Sequence, residues 1–428
     1  MAEDAYCVKA YQVVRKEVGG DAVRISEGRN LYPPSPAFLK QVGRLTESLL
    51  SSDRFTYYES AADQRERELA AALLAEYLEC PAIQSRHVLF TNGSQEAISV
   101  VCAFAAAQGF SIVLPLPAYY SYEQSSLRWG MPLNGYYRTD GKVKWLGAPA
   151  ADLLNVILLP NPITGEIFAE PQLAPRQTRL TLMDCIYQLG TYDGPTALAQ
   201  RTRATLKNFS LDEVALLFTV SKDLSLPGLR SSVLVTGNEE LMKFARADRF
   251  ERAYSVNPIL GQIIASYLAL LLLNAERSSG DALYQKLHDK FAYAGVPFAS
   301  APEFLSMTEH FAAMTRHCRR HLEAVKSIAW PVHLDHEPFA GYSIFPRLGL
   351  QFENSDEFLA WSNYAGREHG LKLNPAYIFG GTPDLWAELY PGEARIRVNV
   401  SYSQTDLSVA LQRLRAAVDA AKPAAVEL

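Results

Sequence analysis

An α/β fold on a mostly parallel sheet is what the sequence predicts, from three observations. Short apolar runs alternate with helix-period segments between residues 87 and 237, the pattern of crossover units. The runs are apolar enough to be strands covered on both faces. The 428 residues, 48% hydrophobic and 20% charged, can bury a large core without disulfide or metal staples.

The elements follow in chain order. Residues 29–36 (RNLYPPSP) read as a loop, since adjacent prolines stop helix and ladder alike. Residues 61–79 carry apolar positions near a 3.6 period and read as a helix. HVLFTN (87–92) is a strand, and SQEAISVVCAFAAAQ (94–108) is a helix that Ser94 can cap. Further strands are expected at 111–117, 155–160, 179–184, 214–221 and 232–237. Residues 238–294 are largely helical, and 316–329 is another helix. Strands at 341–350 and 394–403 and a last helix at 406–421 form a smaller α+β unit. The expected division is a large domain at 46–290 and a small one made of 1–45 and 291–428.

Several function classes drop out early. A net charge of −5 argues against nucleic acid and against a polybasic membrane anchor, which need a basic excess. The start, MAEDAYCVKAYQVVRKEV, lacks the apolar stretch of a signal peptide. Ile263–Leu273 is too short to span a bilayer, which takes about 20 residues, and reads as a buried helix. Cys7, Cys80, Cys102, Cys185 and Cys318 form no CxxC pair, which suits a reducing compartment. A cytoplasmic location is expected. His317 and His321 have metal-ligand spacing, but the arginines beside them repel a cation, so a solvated basic face is expected and no metal. Cys185 is expected to be a buried bystander.

Parallel sheets bind ligands at the carboxyl ends of their strands, and the residues there are chemical. Lys222 follows the strand ending in TVS; a lysine buried at a strand end has a lowered pKa, as Schiff-base chemistry needs. Asp184 ends RLTLMD, and Tyr187 follows it. Gly93, Ser94 and Gln95 stand at a strand-to-helix junction whose free N–H groups favour an anion. Tyr119 and Asn161 follow two more strands, Arg230 follows Lys222, and Arg397 lies in RIRVNV.

The ordered set Gly-Ser, Tyr, Asn-Pro, Asp-x-x-Tyr, Ser-Lys…Pro-Gly-Leu-Arg and Arg-x-Asn-Val resembles the pyridoxal-phosphate-dependent aminotransferases of class I and II, which share the aspartate aminotransferase fold. The likeness covers roughly residues 25 to 420 and implies a seven-stranded sheet flanked by helices. It implies that Lys222 holds pyridoxal 5'-phosphate covalently and then serves as base and acid. It implies that Asp184 keeps the pyridine nitrogen protonated, that Tyr187 and Asn161 bond the ring's phenolic oxygen, and that Tyr119 stacks on the ring. The phosphate would take Gly93, Ser94, Gln95, Thr219, Ser221 and Arg230. Arg397 would clamp the substrate carboxylate. The family's sites lie at a homodimer interface, and Tyr57 matches the tyrosine that reaches the neighbouring phosphate, with Tyr58 competing for that role. Arg67 matches a helix arginine of structural character.

Four places depart from the family pattern. Ala62 and Ser232 replace glycines, and Asn161-Pro162-Ile163-Thr164-Gly165 is one residue longer than usual. The usual Gly-x-Pro is Gly28-Arg29-Asn30. Relatives fold this segment over the substrate, so Gly28 and Arg29 are substrate-binding candidates and Arg29 can meet a distal carboxylate or phosphate. The expected activity is transamination of an amino acid and 2-oxo acid pair. The alternative is a lyase or carbon–carbon bond-forming enzyme of the same fold, one able to use S-adenosylmethionine. A non-catalytic regulator would need a DNA-binding domain that the sequence does not show.

Overall fold

The apolar runs pair into one sheet. The computed structural model describes residues 22–52, 64–139, 142–146, 152–167, 178–253, 256–276, 280–327, 333–379 and 389–421. Its large sheet contains β1 (Val88–Asn92), β2 (Ser111–Pro115), β3 (Leu133–Thr139), β4 (Lys142–Leu146), β5 (Leu153–Leu158), β6 (Thr178–Asp184), β7 (Val214–Thr219) and β8 (Ser231–Thr236). They lie in the order β1-β8-β7-β6-β5-β2-β3-β4. The pairs β7–β6, β6–β5, β5–β2 and β2–β3 are parallel. β8 runs antiparallel between β7 and β1, and β4 is an antiparallel edge on β3. The predicted mostly parallel sheet is therefore present, with β4 as a hairpin partner added to seven strands. β3 and β4 are absent from the sequence reading: Asn134 and Gly135 interrupt the apolar run in LNGYYRT.

This topology places the site. The carboxyl ends of β1, β2, β5, β6 and β7 share one edge, and because β8 is reversed its amino end lies there too. Strands β2, β5, β7 and β8 are buried along their whole length, which accounts for their mostly apolar runs.

Helices join and cover the strands. They are α1 (Pro36–Leu50), α2 (Gln64–Tyr77), α3 (Ser94–Ala107), α4 (Tyr120–Trp129), α5 (Pro195–Leu206), α6 (Val220–Asp223), α7 (Glu239–Ala253), α8 (Ile259–Ala275), α9 (Gly280–Ala294), α10 (Ala301–Ser327), α11 (Ser355–His369) and α12 (Gln404–Ala421). The cap of α3 is Gly93 rather than Ser94, which is the first helical residue. α8 is apolar on every side because every side is covered; among the described residues no helix is long and apolar enough to cross a membrane. The expected strands at 341–350 and 394–403 are each split, into β9 (Ser343–Ile344) and β10 (Arg347–Gln351), and β11 (Glu393–Arg395) and β12 (Val398–Asn399). β10 pairs with β11 and β12 with β9.

The N-terminal strap threads onto this smaller region. Val23 bridges Leu371, its N–H bonding Gly370 O at 2.9 Å, and Ile25 O accepts from Asn399 N at 2.8 Å. The Asn399 amide donates to both Glu27 O and Arg29 O at 2.8 Å. These bonds hold residues 26–29 over the carboxyl edge of the large sheet.

The expected basic face on α10 needs correction. His321 is buried, bonded to Val400 O and Gln404, and His317 bonds Tyr402 O at 2.6 Å. Both rings turn inward to satisfy backbone carbonyls, while Arg316, Arg319 and Arg320 stay exposed. No cluster of metal-binding side chains occurs among the described residues. Cys80, Cys102, Cys185 and Cys318 are free thiols, Cys185 fully buried.

Gly261 in α8 gives a test of this packing. A Cβ there would lie 2.8 Å from Phe90 Cε2 and 2.9 Å from Glu66 Cβ. Helix propensity favours alanine by about 1 kcal/mol, but overpacking a rigid site costs about 1–3 kcal/mol. Gly261→Ala should therefore lower stability in urea unfolding; a gain would show that α8 can shift away from β1.

Candidate functional site

Lys222, Asp184, Tyr187, Tyr119, Ser94, Gly28, Arg29 and Arg397 come from distant parts of the chain and line one cavity of about 230 Å³. Lys222 sits in α6, the turn after β7, where Thr219 accepts a bond from Ser221 N. Its Nζ donates to Gly28 O at 2.6 Å, so the strap closes directly onto the lysine. Burial of the ammonium, then the charge of Arg397, push its pKa down to about 8; Asp184 and Glu27 oppose them.

Asp184 is 1% exposed at the end of β6. Its Oδ2 accepts from the Tyr122 hydroxyl at 2.6 Å. Its Oδ1 is buried and has no hydrogen-bond partner among the described residues. Burial raises this carboxyl to about 6, against the bonds from Tyr122 and the Ile186 backbone N–H and the charge of Lys222. A buried acceptor without a donor costs about 1–3 kcal/mol, so Oδ1 is the place for a ligand's N–H.

Tyr122 is a residue the sequence reading missed. It lies in the first turn of α4, three positions after the capping Tyr119. Tyr119 caps α4, its ring 4.6 Å from that of Tyr120. Tyr187 is buried with its ring 5.2 Å from Tyr342, and burial keeps its phenol well above the ordinary range.

The anion cradle is built from backbone and one guanidinium. Gly93 caps α3 at φ +81°. A Cβ there would lie 2.3 Å from Arg230 Nη2, so only glycine lets Arg230 cross the helix N-terminus. Arg230 itself takes φ +50° and donates to Asn92 O at 3.1 Å. Gln95 is exposed and accepts from Ser121 Oγ at 2.6 Å. Thr219 and Ser221 bond each other at 3.1 Å and stand outside the cavity lining, as do Gly93, Gln95, Arg230 and Asn161, while Ser94 lines it. The Asn161 amide donates to Pro117 O at 2.7 Å and accepts from Ile163 N at 2.8 Å, so here it shapes its own longer loop. Tyr57 and Tyr58 lie outside the described residues. Arg67 donates to Gln64 at 2.9 Å on α2.

On the opposite wall, Arg397 is buried, donates through Nη2 to Ser26 O at 2.7 Å, and stacks 4.7 Å from the Phe379 ring. No carboxylate lies within ion-pair distance of it among the described residues, and Nη1 carries no bond there. A Cβ on Gly28 would meet Arg397 Nη2 at 2.8 Å. The cavity is rich in cations, with Arg24, Arg29, Lys222, Lys372 and Arg397 against Glu27 and Asp184.

These residues fit pyridoxal 5'-phosphate. The unpartnered Asp184 oxygen suits a ring N–H, the Gly93–Arg230 cradle suits a phosphate, and a lysine of lowered pKa suits an aldehyde.

Comparison with known proteins agrees. The family model for aminotransferase class I and II matches residues 21–414. The chain is 25% identical over 229 residues to histidinol-phosphate aminotransferase 1 of Trichormus variabilis, a match that takes in 52% of this chain and 59% of that protein. It thus spans less than two thirds of that relative's length. Among solved structures, an aspartate aminotransferase of Thermotoga maritima superposes with a TM-score of 0.65 at 17% identity, covering 96% of this chain and 95% of that one. Substrate-bound BacF of Bacillus subtilis gives 0.66 at 16%, covering 95% and 92%. At such identities the structural likeness shows the fold alone.

The lowered pKa of Lys222 has a direct consequence. In cofactor-free protein, the rate of imine formation with added aldehyde should rise with the neutral amine, with a midpoint near pH 8. A solvated lysine titrates about two units higher, and a midpoint there would contradict the buried placement.

Proposed function

The chain belongs to the aminotransferase class I and II family, and on that premise we propose that it is a pyridoxal-phosphate-dependent aminotransferase acting on an amino acid and 2-oxo acid pair. One observation carries the reading: among the described residues, a buried carboxylate with an unpartnered oxygen and an amine of lowered pKa line the same cavity as an arginine with no carboxylate partner.

Enzymes of this family use pyridoxal 5'-phosphate, which when bound supplies an aldehyde for the amine and a protonated ring that takes up the electron pair released at Cα. The protein's residues do the rest. Asp184, its other oxygen fixed by Tyr122, holds the proton on the ring nitrogen. Arg397 grips the substrate carboxylate and so sets which Cα bond stands perpendicular to the ring. Lys222, about half of it uncharged at pH 8, would take the proton from Cα and return it at the neighbouring carbon. Tyr119 would cover one ring face, and Tyr187 would donate to the ring oxygen. Gly93, Ser94 and Arg230 hold the phosphate. We propose that the working unit is a homodimer.

Arg29 and Lys372 extend the reading to the substrate side chain. Both line the cavity beside the strap, and Arg24 is paired with Glu27 at 3.8 Å. We assign Arg29 to a second anionic group on the substrate, a carboxylate or phosphate. The Trichormus relative acts, by its name, on a substrate that bears a phosphate.

Adding single amino acids to the yellow holoenzyme should convert the aldehyde form of the cofactor to its amine form, and a 2-oxo acid should restore it. Turnover that releases a leaving group, needs no 2-oxo acid and never forms the amine would overturn transamination. Arg29→Gln should raise KM for donors with a distal anion by about 10–100-fold, the worth of a charge-assisted bond. Donors with neutral side chains should be unaffected; equal loss on both would remove Arg29 from substrate recognition.

A further inference from the structure

Asp223, the residue after Lys222, has no part in the chemistry above, yet it is 2% exposed and carries three hydrogen bonds on one oxygen. Its Oδ2 accepts from Tyr267 Oη at 2.6 Å, Gln188 N at 2.7 Å and Leu189 N at 3.1 Å. Gln188 and Leu189 belong to the segment that leaves β6 just after Asp184 and Tyr187. Two successive backbone N–H groups of that segment therefore converge on the neighbour of Lys222.

We propose that Asp223 is a positioning residue, whose carboxylate clamps the turn carrying Lys222 to the segment carrying Asp184 and Tyr187 and so sets where the lysine amine stands relative to both. The inference rests on the proposed role of Lys222.

The network around the clamp is closed. The Gln188 side chain accepts from Tyr77 Oη at 2.9 Å and Thr202 Oγ1 at 3.2 Å, and donates to Leu159 O at 3.0 Å and Tyr187 O at 2.9 Å. The clamp thus reaches the end of β5 as well as α2, α5 and α8. No cation lies within ion-pair distance of Asp223 among the described residues. A buried carboxylate without a counter-ion is costly, and burial lifts this one to about 6 against the bonds from Tyr267, Gln188 and Leu189. The titratable groups facing it are phenols: Tyr267 from α8, Tyr77 from α2, Tyr187 from the segment after β6, and Tyr342 from β9's approach. Its charge raises all four. Ionised, Asp223 accepts charge-assisted bonds and favours Tyr187 as a neutral donor.

The test uses holoenzyme of Asp223→Asn and Tyr267→Phe, with kcat, KM and the pH titration of the cofactor's visible absorbance. Misplacing a reacting group by about 1 Å can cost about 100-fold. Asp223→Asn should keep KM within about threefold of wild type, lower kcat by about 10–100-fold, and shift the absorbance midpoint downward as the negative charge is lost. Tyr267→Phe, which leaves two of the three bonds, should move both readouts the same way by less. A folded Asp223→Asn enzyme with wild-type kcat and midpoint overturns the proposal. If that variant does not fold, Tyr267→Phe decides: a lower Tm with unchanged kcat and midpoint would show a merely structural role. Loss of the chromophore in Lys222→Ala tests the anchoring lysine separately.

Discussion

The site depends on one electrostatic constraint: two groups of opposite charge tendency, Asp184 and Lys222, are both taken out of bulk water at one sheet edge. Each is costly there in its ionised form. Asp184 is raised to about 6 and Lys222 is lowered to about 8. Tyr122 satisfies one carboxylate oxygen, and the other has no donor among the described residues. A cavity with that unmet need is built to receive a group that brings its own N–H and reacts with an amine.

The sheet supplies the rigid half of the site and the strap the other half. β6 and β7 are parallel neighbours, with Asp184 opposite Leu217 in register, so the carboxylate and the turn bearing Lys222 leave adjacent strand ends. The strap is held by backbone bonds to 370–372 and 399, yet its Gly28 carbonyl takes the lysine's bond. That carbonyl can release Nζ at the cost of one exchangeable hydrogen bond, whereas a carboxylate in its place would pin the ammonium. The lysine is thereby held close and left reactive.

The parts of this architecture legible in the sequence are those that burial writes into it. Strands β1, β2, β5, β6, β7 and β8 were readable because covered strands need mostly apolar runs. β3 and β4 were not, since Lys142, Lys144 and Asn134 disguise an edge hairpin. Helix α1 begins at Pro36 just after Pro33 and Pro34, so the prolines masked a helix whose Phe38, Leu45 and Leu49 form a buried stripe, while α4 begins YSYEQSS and shows no clear apolar stripe. Lys222, Asp184, Tyr119 and Gly93 could be named because strand ends are where ligands of such sheets sit. Tyr122 escaped notice among 22 tyrosines, as its role lies in a contact across 62 positions of chain. Asn161 was read from its motif, and the extra residue in its loop gives its amide other partners.

The most direct measurement is reduction of the cofactor-loaded protein with borohydride, followed by peptide mapping. Lys372 is the informative competitor, because it lines the same cavity and is also largely buried. The account predicts one reduced cofactor adduct per chain, on Lys222. An adduct on Lys372 or another lysine, or none at all, would contradict it.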